Sequence, residues 1–156
     1  MAQEIERKFL VKNQSFIKES FKQKQIKQGF LNSHKNRTVR IRIQDNKSFI
    51  TIKGLSNEKG TTRYEWEKEI SVKEGKELLA LCEESIIEKT RYLVKSGEHI
   101  FEVDVFSGDN KGLIVAEVEL ERENEEFTIP TWIQEEVTGQ KKYYNSLLSK
   151  TPFKDW

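Results

Sequence analysis

The chain has 156 residues, 34% of them charged and 35% hydrophobic, with a formal net charge of only +1. That is the length of one domain with its own core, and charge so abundant yet so balanced argues against a general nucleic-acid binder or a disordered acidic tail. The single Cys82 excludes an internal disulfide and a cysteine-type zinc site; with no long apolar run and no signal-peptide core, the chain reads as soluble and cytoplasmic, without a membrane partner.

Residues 4–11 read as a strand, with Glu4, Glu6 and Lys8 on one side and Ile5, Arg7 and Phe9 on the other. From Asn13 to Gln23 a short amphipathic helix is expected around Phe16, Ile17 and Phe21, capped by Asn13 or Ser15. Ile26 to Leu31 is extended, and 32–36 is turn chemistry. Thr38 to Gln44 alternates Val39, Ile41 and Ile43 against Arg40 and Arg42, and the turn at 45–47 makes it a hairpin with Ser48 to Lys53. After a loop at 54–60, Thr62 to Ile70 is a strand alternating Tyr64 and Trp66 with acids; Trp66 is expected beneath a helix. A helix is predicted from Ser71 to about Ser85, with Leu78, Leu79, Leu81 and Cys82 as its buried stripe. Ile86 to Lys95, Ile100 to Phe106 and Leu113 to Glu121 are three further strands, and Thr131 to Val137 and Asn145 to Lys150 read as short helices around Gly139. His34 and His99 are read as solvated, Trp132 as covering a barrel end or a helix, and Trp156 as a loose terminus. The Lys/Gln run from Lys22 to Gln28 is too short to argue for RNA.

The sum is a mainly β, α+β chain of about eight short strands, most of them joined as hairpins. Eight antiparallel strands suffice to close a barrel, which would leave no edge exposed.

One face of these strands carries Glu4, Glu6 and Lys8; Arg40 and Arg42; Lys53; Glu65 and Glu67; Lys89 and Arg91; Glu102 and Asp104; and Glu117 and Glu119. Either these faces are solvated outer surface around an apolar core, or the apolar faces pack outward and the charged ones line a water-filled tunnel. A lone Glu-x-Glu is usually ordinary surface. Same-sign pairs two residues apart lie on one side and repel, so their repetition from strand to strand is better explained by a polyvalent ligand. Paired carboxylates suit a hard divalent cation such as Mg²⁺ or Mn²⁺, and rows of Arg and Lys suit phosphate oxygens. A metal-bridged polyphosphate satisfies both, and phosphoryl transfer needs little more than positioning, charge neutralisation and an oriented water. The sequence has no Walker-A glycine loop and no kinase signature.

In this order the motifs Glu4-x-Glu6-x-Lys8, Arg40-x-Arg42, Lys53, Glu65-x-Glu67, Lys89-x-Arg91, Asp104 and Glu117-x-Glu119 resemble the CYTH domain, the triphosphate tunnel metalloenzymes, over residues 2–150. The resemblance implies a single domain over 1–156, an eight-stranded antiparallel β-barrel with flanking helices, a triphosphate substrate and Mg²⁺ or Mn²⁺. It implies metal ligation by Glu4, Glu6, Glu117 and Glu119, with Asp104 as a further contributor. Phosphate binding falls to Lys8, Arg40, Arg42, Lys53, Lys89 and Arg91, and Glu65 and Glu67 become acids that hold the bases or assist metal and water. Residues 137–145 resemble a C-terminal element that closes on the tunnel, where Lys142 is expected to meet a phosphate and Gln140 stands where the family often has an acid.

The reaction expected is attack of water on the terminal phosphorus of inorganic or organic triphosphate. An adenylate cyclase making cyclic AMP and pyrophosphate, and a non-catalytic polyphosphate-binding module, are the alternatives. The motifs see phosphates and metal, so they leave open the organic end of the substrate and the oligomeric state, a homodimer included.

Overall fold

A computed structural model describes residues 3–83 and 85–156. In chain order it contains β1 (Gln3–Val11), α1 (Phe16–Glu19), β2 (Lys22–His34), β3 (Arg37–Gln44), β4 (Lys47–Gly54), β5 (Thr62–Ile70), α2 (Val72–Leu79), β6 (Ile87–Ser96), β7 (His99–Phe106), β8 (Ile114–Glu119), β9 (Ile133–Glu136) and α3 (Asn145–Leu148). The sheet runs β5-β4-β3-β2-β6-β7-β8-β1-β9, and β5 also pairs with β1. That last pairing closes eight antiparallel strands into the barrel that the alternation of the sequence predicts, and β9 is an addition beside β1.

The residues around β1 hold the seam. Along one edge β1 first pairs with β5, from Gln3↔Tyr64 to Ile5↔Thr62, and then with β9, from Phe9↔Glu136 to Val11↔Ile133. Between them no strand is available, and loops supply the hydrogen bonds: Glu6 N–H donates to the Thr61 carbonyl (3.0 Å), Lys8 N–H to Thr138 Oγ1 (2.9 Å), and Val137 N–H to the Lys8 carbonyl (2.8 Å). The two loops meet at Gly60 (φ 76°) and Gly139 (φ 79°), where a Cβ on Gly60 would lie 2.3 Å from the Gly139 Cα. Left-handed backbone and close approach both require glycine there.

The apolar residues fall into two groups. Outward-facing Phe9, Val94, Phe101, Val103, Ala116 and Val118 are buried under Phe16, Leu120 and the fully buried Trp132. Inward-facing Phe30, Ile87, Phe106 and Val115, with Leu10, instead fill one end of the barrel interior, where Val137, Tyr143 and Leu148 of the C-terminal segment close it as a floor. The charged faces occupy the rest of the interior.

Several local expectations change. The helix expected over 13–23 is only α1, because Phe21 N–H donates to the Leu93 carbonyl and draws the chain into β2, which runs on through the expected turn to His34. Asn13 Oδ1 accepts from Ser15 N–H, and Ser15 itself makes no side-chain cap. The helix expected to reach Ser85 ends at Leu79; Leu81 is 72% exposed, Glu83 N–H bonds the Phe30 carbonyl of β2, and Glu84 lies outside the described residues. Its N-terminus carries a reciprocal Ser71–Glu74 capping box, which satisfies two of the first turn's free N–H groups. Thr131 to Val137 is not a helix but contains β9, because the free edge of β1 offers it ladder partners. Trp66 is 41% exposed beside Ile52 and Tyr64 rather than under a helix. His99 is bonded to Glu125, whereas His34 is exposed. Trp156 packs edge-on against Tyr143 and Phe153. Among the described residues no helix is long and apolar enough to cross a membrane.

Candidate active site

The strands bring almost all the charged residues singled out in the sequence to one cavity of about 260 Å³, lined by Glu4, Glu6, Lys8, Arg40, Arg42, Lys53, Glu65, Glu67, Lys89, Arg91, Glu117 and Glu119. Facing registers explain this: Lys8 lies opposite Glu117 and Glu6 opposite Glu119 across β1 and β8, Lys53 opposite Glu65 across β4 and β5, and Arg91 opposite Asp104 across β6 and β7.

The bases are held by acids behind or beside them. Asp104 is buried between two of them: Lys89 Nζ lies 2.7 Å from its Oδ2, and Arg91 donates from Nε to Oδ1 (2.8 Å) and from a terminal nitrogen to Oδ2 (3.0 Å). Burial alone would push the Asp104 carboxyl up, but Arg91 and Lys89 outweigh it and hold it ionised below its usual range. Burial pushes Lys89 down to about 7, against the pull of Asp104 and with help from Arg91 and Arg42. Lys53 donates to both Glu4 oxygens (2.9 and 3.0 Å) and reaches Glu65 at 3.2 Å. For Glu4, burial is again outweighed, by Lys53 together with hydrogen bonds from Glu65 and Lys53, and the carboxyl falls to about 2.

Two arginines are less satisfied. Arg40 reaches Thr51 Oγ1 (3.1 Å) and Glu67 (3.4 Å), while its Nε is buried without a hydrogen-bond partner among the described residues. Arg42 Nε donates to Gln28 Oε1 at 2.8 Å, and among the described residues Arg42 makes no salt bridge. Burial first, then Arg40 and Arg91, push its guanidinium down from the usual range. Buried donors without acceptors are costly, and an anion with several oxygens would relieve both.

The carboxylates of β1 and β8 have the opposite problem. Burial, Glu117 and Glu4 push Glu6 well above the ordinary carboxylate range. Glu117 goes the other way: burial opposes ionisation, but Lys8, 3.7 Å away, a hydrogen bond from Glu6 and nearby Arg91 keep it charged. Glu119, at the rim and open to solvent on one side, is raised to about 7 by partial burial and by Glu102, Glu4, Glu65 and Glu117 around it. Carboxylates crowded on facing strands are the kind of donor set a hard divalent cation takes. Among the described residues no three of them converge as a ready-made cage.

Two expectations do not fit this geometry. Asp104 is engaged through both oxygens by Lys89 and Arg91 and does not reach the cavity lining, so it lies behind the bases. Lys142 is exposed and lies over the rings of Trp156 (4.6 Å) and Tyr143 (5.3 Å), away from the cavity lining. Three contributors escaped the sequence reading. Arg63, opposite Glu4 in the ladder, lines the cavity 3.7 Å from Glu4 and stacks on Tyr144 (5.8 Å). Tyr144 also lies 5.2 Å from Lys8 Nζ, and Gln28 is fully buried behind Arg42. The alternation of Arg63 with Glu65 and Glu67 was a usable signal; nothing in the sequence marks Gln28.

A closed antiparallel barrel with opposed rows of bases and acids facing inward defines a class of polyanion-handling tunnel protein. The chain belongs to the CYTH domain family, whose family model matches residues 2–152. It is 43% identical over its whole length to an inorganic triphosphatase of Acetivibrio thermocellus, covering 99% of that protein. It is 37% identical to an inorganic triphosphatase of Nitrosomonas europaea, over 94% of this chain and 96% of that one. A crystal structure of an inorganic triphosphatase superposes with a TM-score of 0.66 at 34% identity, covering 96% of this chain and 95% of that one.

Proposed function

We propose that this chain, read as one CYTH unit, is a divalent-metal-dependent hydrolase of triphosphates, with inorganic triphosphate as its first substrate. The observation that carries the reading is the unmet charge inside the barrel: among the described residues Arg40 Nε and Arg42 lack anionic partners on one wall, and burial and neighbouring acids raise Glu6 and Glu119 above the ordinary carboxylate range on another. A polyphosphate and a hard cation together cancel both. The names of the relatives at 43% and 37% identity point the same way.

In this reading Arg40, Arg42, Lys8, Lys53, Lys89 and Arg91 bind the phosphate oxygens and spread the charge that gathers there as the bridging bond breaks. Asp104, Glu65 and Glu67 hold those bases in place. Glu6, Glu117 and Glu119, with Glu4 beside them, would hold Mg²⁺ or Mn²⁺, which supplies charge neutralisation at the phosphates and lowers the pKa of bound water. Water adds to the terminal phosphorus, the bond to the bridging oxygen breaks, and orthophosphate and pyrophosphate leave. The floor of Tyr143, Val137 and Leu148 shuts one end of the interior. A triphosphate therefore lies with one terminus against that end, and any organic group has to project from the other.

A panel of inorganic triphosphate, ATP, GTP, thiamine triphosphate and pyrophosphate, each with Mg²⁺ and with Mn²⁺, tests the assignment. Orthophosphate release from inorganic triphosphate is expected. Cyclic AMP and pyrophosphate from ATP would make the chain a cyclase, and tight triphosphate binding without turnover at any metal concentration would make it a binding module.

A further inference from the structure

The phosphate clamp is tied to the C-terminal segment by two neutral amides. Asn145 Oδ1 accepts from Gln28 Nε2 (2.9 Å) and from Lys89 Nζ (2.8 Å), and Gln28 Oε1 accepts from Arg42 Nε (2.8 Å). Hydrogen-bond chemistry allows only one assignment of this chain. Arginine and lysine can only donate, so the Gln28 oxygen must face Arg42, its amino group must face Asn145, and the Asn145 oxygen must take both donors. Gln28 is fully buried between β3 and β6, so it has no solvent alternative.

The bonds hold each base by one part and leave the rest free. Arg42 is gripped at Nε, which leaves its terminal nitrogens without a carboxylate among the described residues. Lys89 gives one N–H to Asp104 and one to Asn145. Two residues before Asn145, the Tyr143 carbonyl lies 3.5 Å from Lys8 Nζ, so one short segment meets Lys8 and Lys89 directly and Arg42 through Gln28.

We propose that Asn145 and Gln28 are positioning residues: an amide relay by which the segment closing the barrel floor aims Arg42 and Lys89 at the phosphates of a triphosphate. The role rests on the triphosphatase reading above. It accounts for a buried polar pair among the bases, since a neutral acceptor orients a base without cancelling the charge that phosphate needs.

The experiment uses the full chain and four variants: Asn145→Ala, Asn145→Asp, Gln28→Met (which keeps the buried volume) and the Asn145→Ala/Gln28→Met double. Phosphate release from inorganic triphosphate at saturating Mg²⁺ gives kcat and KM, calorimetry gives the affinity of inorganic triphosphate in metal-free buffer, and thermal melts report folding. Asn145→Ala and Gln28→Met should each raise KM about tenfold, with kcat within about threefold of the original. The double should be little worse than the poorer single, because both break one chain. Asn145→Asp should keep both hydrogen bonds and with them the melting temperature of the original, yet leave KM raised, because its carboxylate cancels charge that phosphate needs. Unchanged KM in both singles, multiplied losses in the double, or an Asn145→Asp variant with the KM of the original would overturn the relay. An original chain that binds triphosphate without turning it over would sink the hydrolase reading alone; the calorimetric affinities of the same variants then decide the relay. Absence of triphosphate binding by the original chain would sink both.

Discussion

The barrel interior is two materials in one tube. Its floor is apolar, with Phe30, Ile87, Phe106, Val115, Tyr143 and Leu148 packed as in any core, and next to it stand rows of buried Lys, Arg and Glu. The same strands supply both, often two residues apart: Val115 belongs to the floor and Glu117 to the cavity, Phe106 to the floor and Asp104 to the clamp. The floor gains stability from burial. The charged section gives stability up, because each ion removed from water costs more than most partners return. A fold that keeps such a section keeps it for a ligand.

Substitutions in the two regions should therefore fail in different ways. The largest effect is expected from Glu6→Gln and Glu119→Gln, each lowering metal-dependent phosphate release about a hundredfold or more. Their melting temperatures should be equal to or above that of the original chain, since each removes repulsion among carboxylates. Asp104→Ala should do the reverse first: Lys89 would stay buried without a carboxylate and Arg91 would lose its bidentate partner, keeping only Glu102 and Glu117, so denaturant titration should show a loss of about 3 kcal/mol. A stable Asp104→Ala protein defective only in metal affinity would restore Asp104 to the metal site. In the floor, Leu148→Ala should show first as a loss of stability of about 2–5 kcal/mol.

The smallest effect is a pH signature of the metal-free protein. Glu119 titrates at about 7 instead of 4.5, so between those values the folded state holds more protons than the unfolded chain, and stability falls as pH rises; Glu6 acts with the same sign. Lys89 titrates at about 7 instead of 10.5, so above 7 the unfolded chain holds more protons, and stability rises with pH. Melts of metal-free protein should thus pass through a shallow minimum near neutrality, which Mg²⁺ with triphosphate should fill. A maximum there would contradict the charge assignments.

Most of the charged section was legible because period-two spacing writes a strand face directly into sequence. Arg40 and Arg42, or Glu117 and Glu119, must share a side whatever surrounds them. What the spacing does not say is which acid meets which base. Asp104 looks like one more carboxylate until the β6–β7 register sets it against Arg91. Gln28 shows no charge and no motif; its role exists only once β2 lies between β3 and β6. The helix expected over 131–137 fails for a related reason. Trp132, Ile133 and Val137 fit a helical stripe, but the free edge of β1 competes for the backbone and wins it for β9. Lys142 lies over the rings of Trp156 and Tyr143 and outside the cavity lining, which the spacing of residues 137–145 does not reveal.

The central claim is that the unmet charge inside the barrel is a site for hydrolysing triphosphate. Its most direct test is orthophosphate release from inorganic triphosphate, with Mg²⁺ or Mn²⁺ titrated from zero, by the original chain and by Glu6→Gln at equal folded concentration. Metal-dependent release by the first and its near-complete loss in the second is the predicted result. No release by the original chain at any metal concentration, or equal release by both, would contradict it.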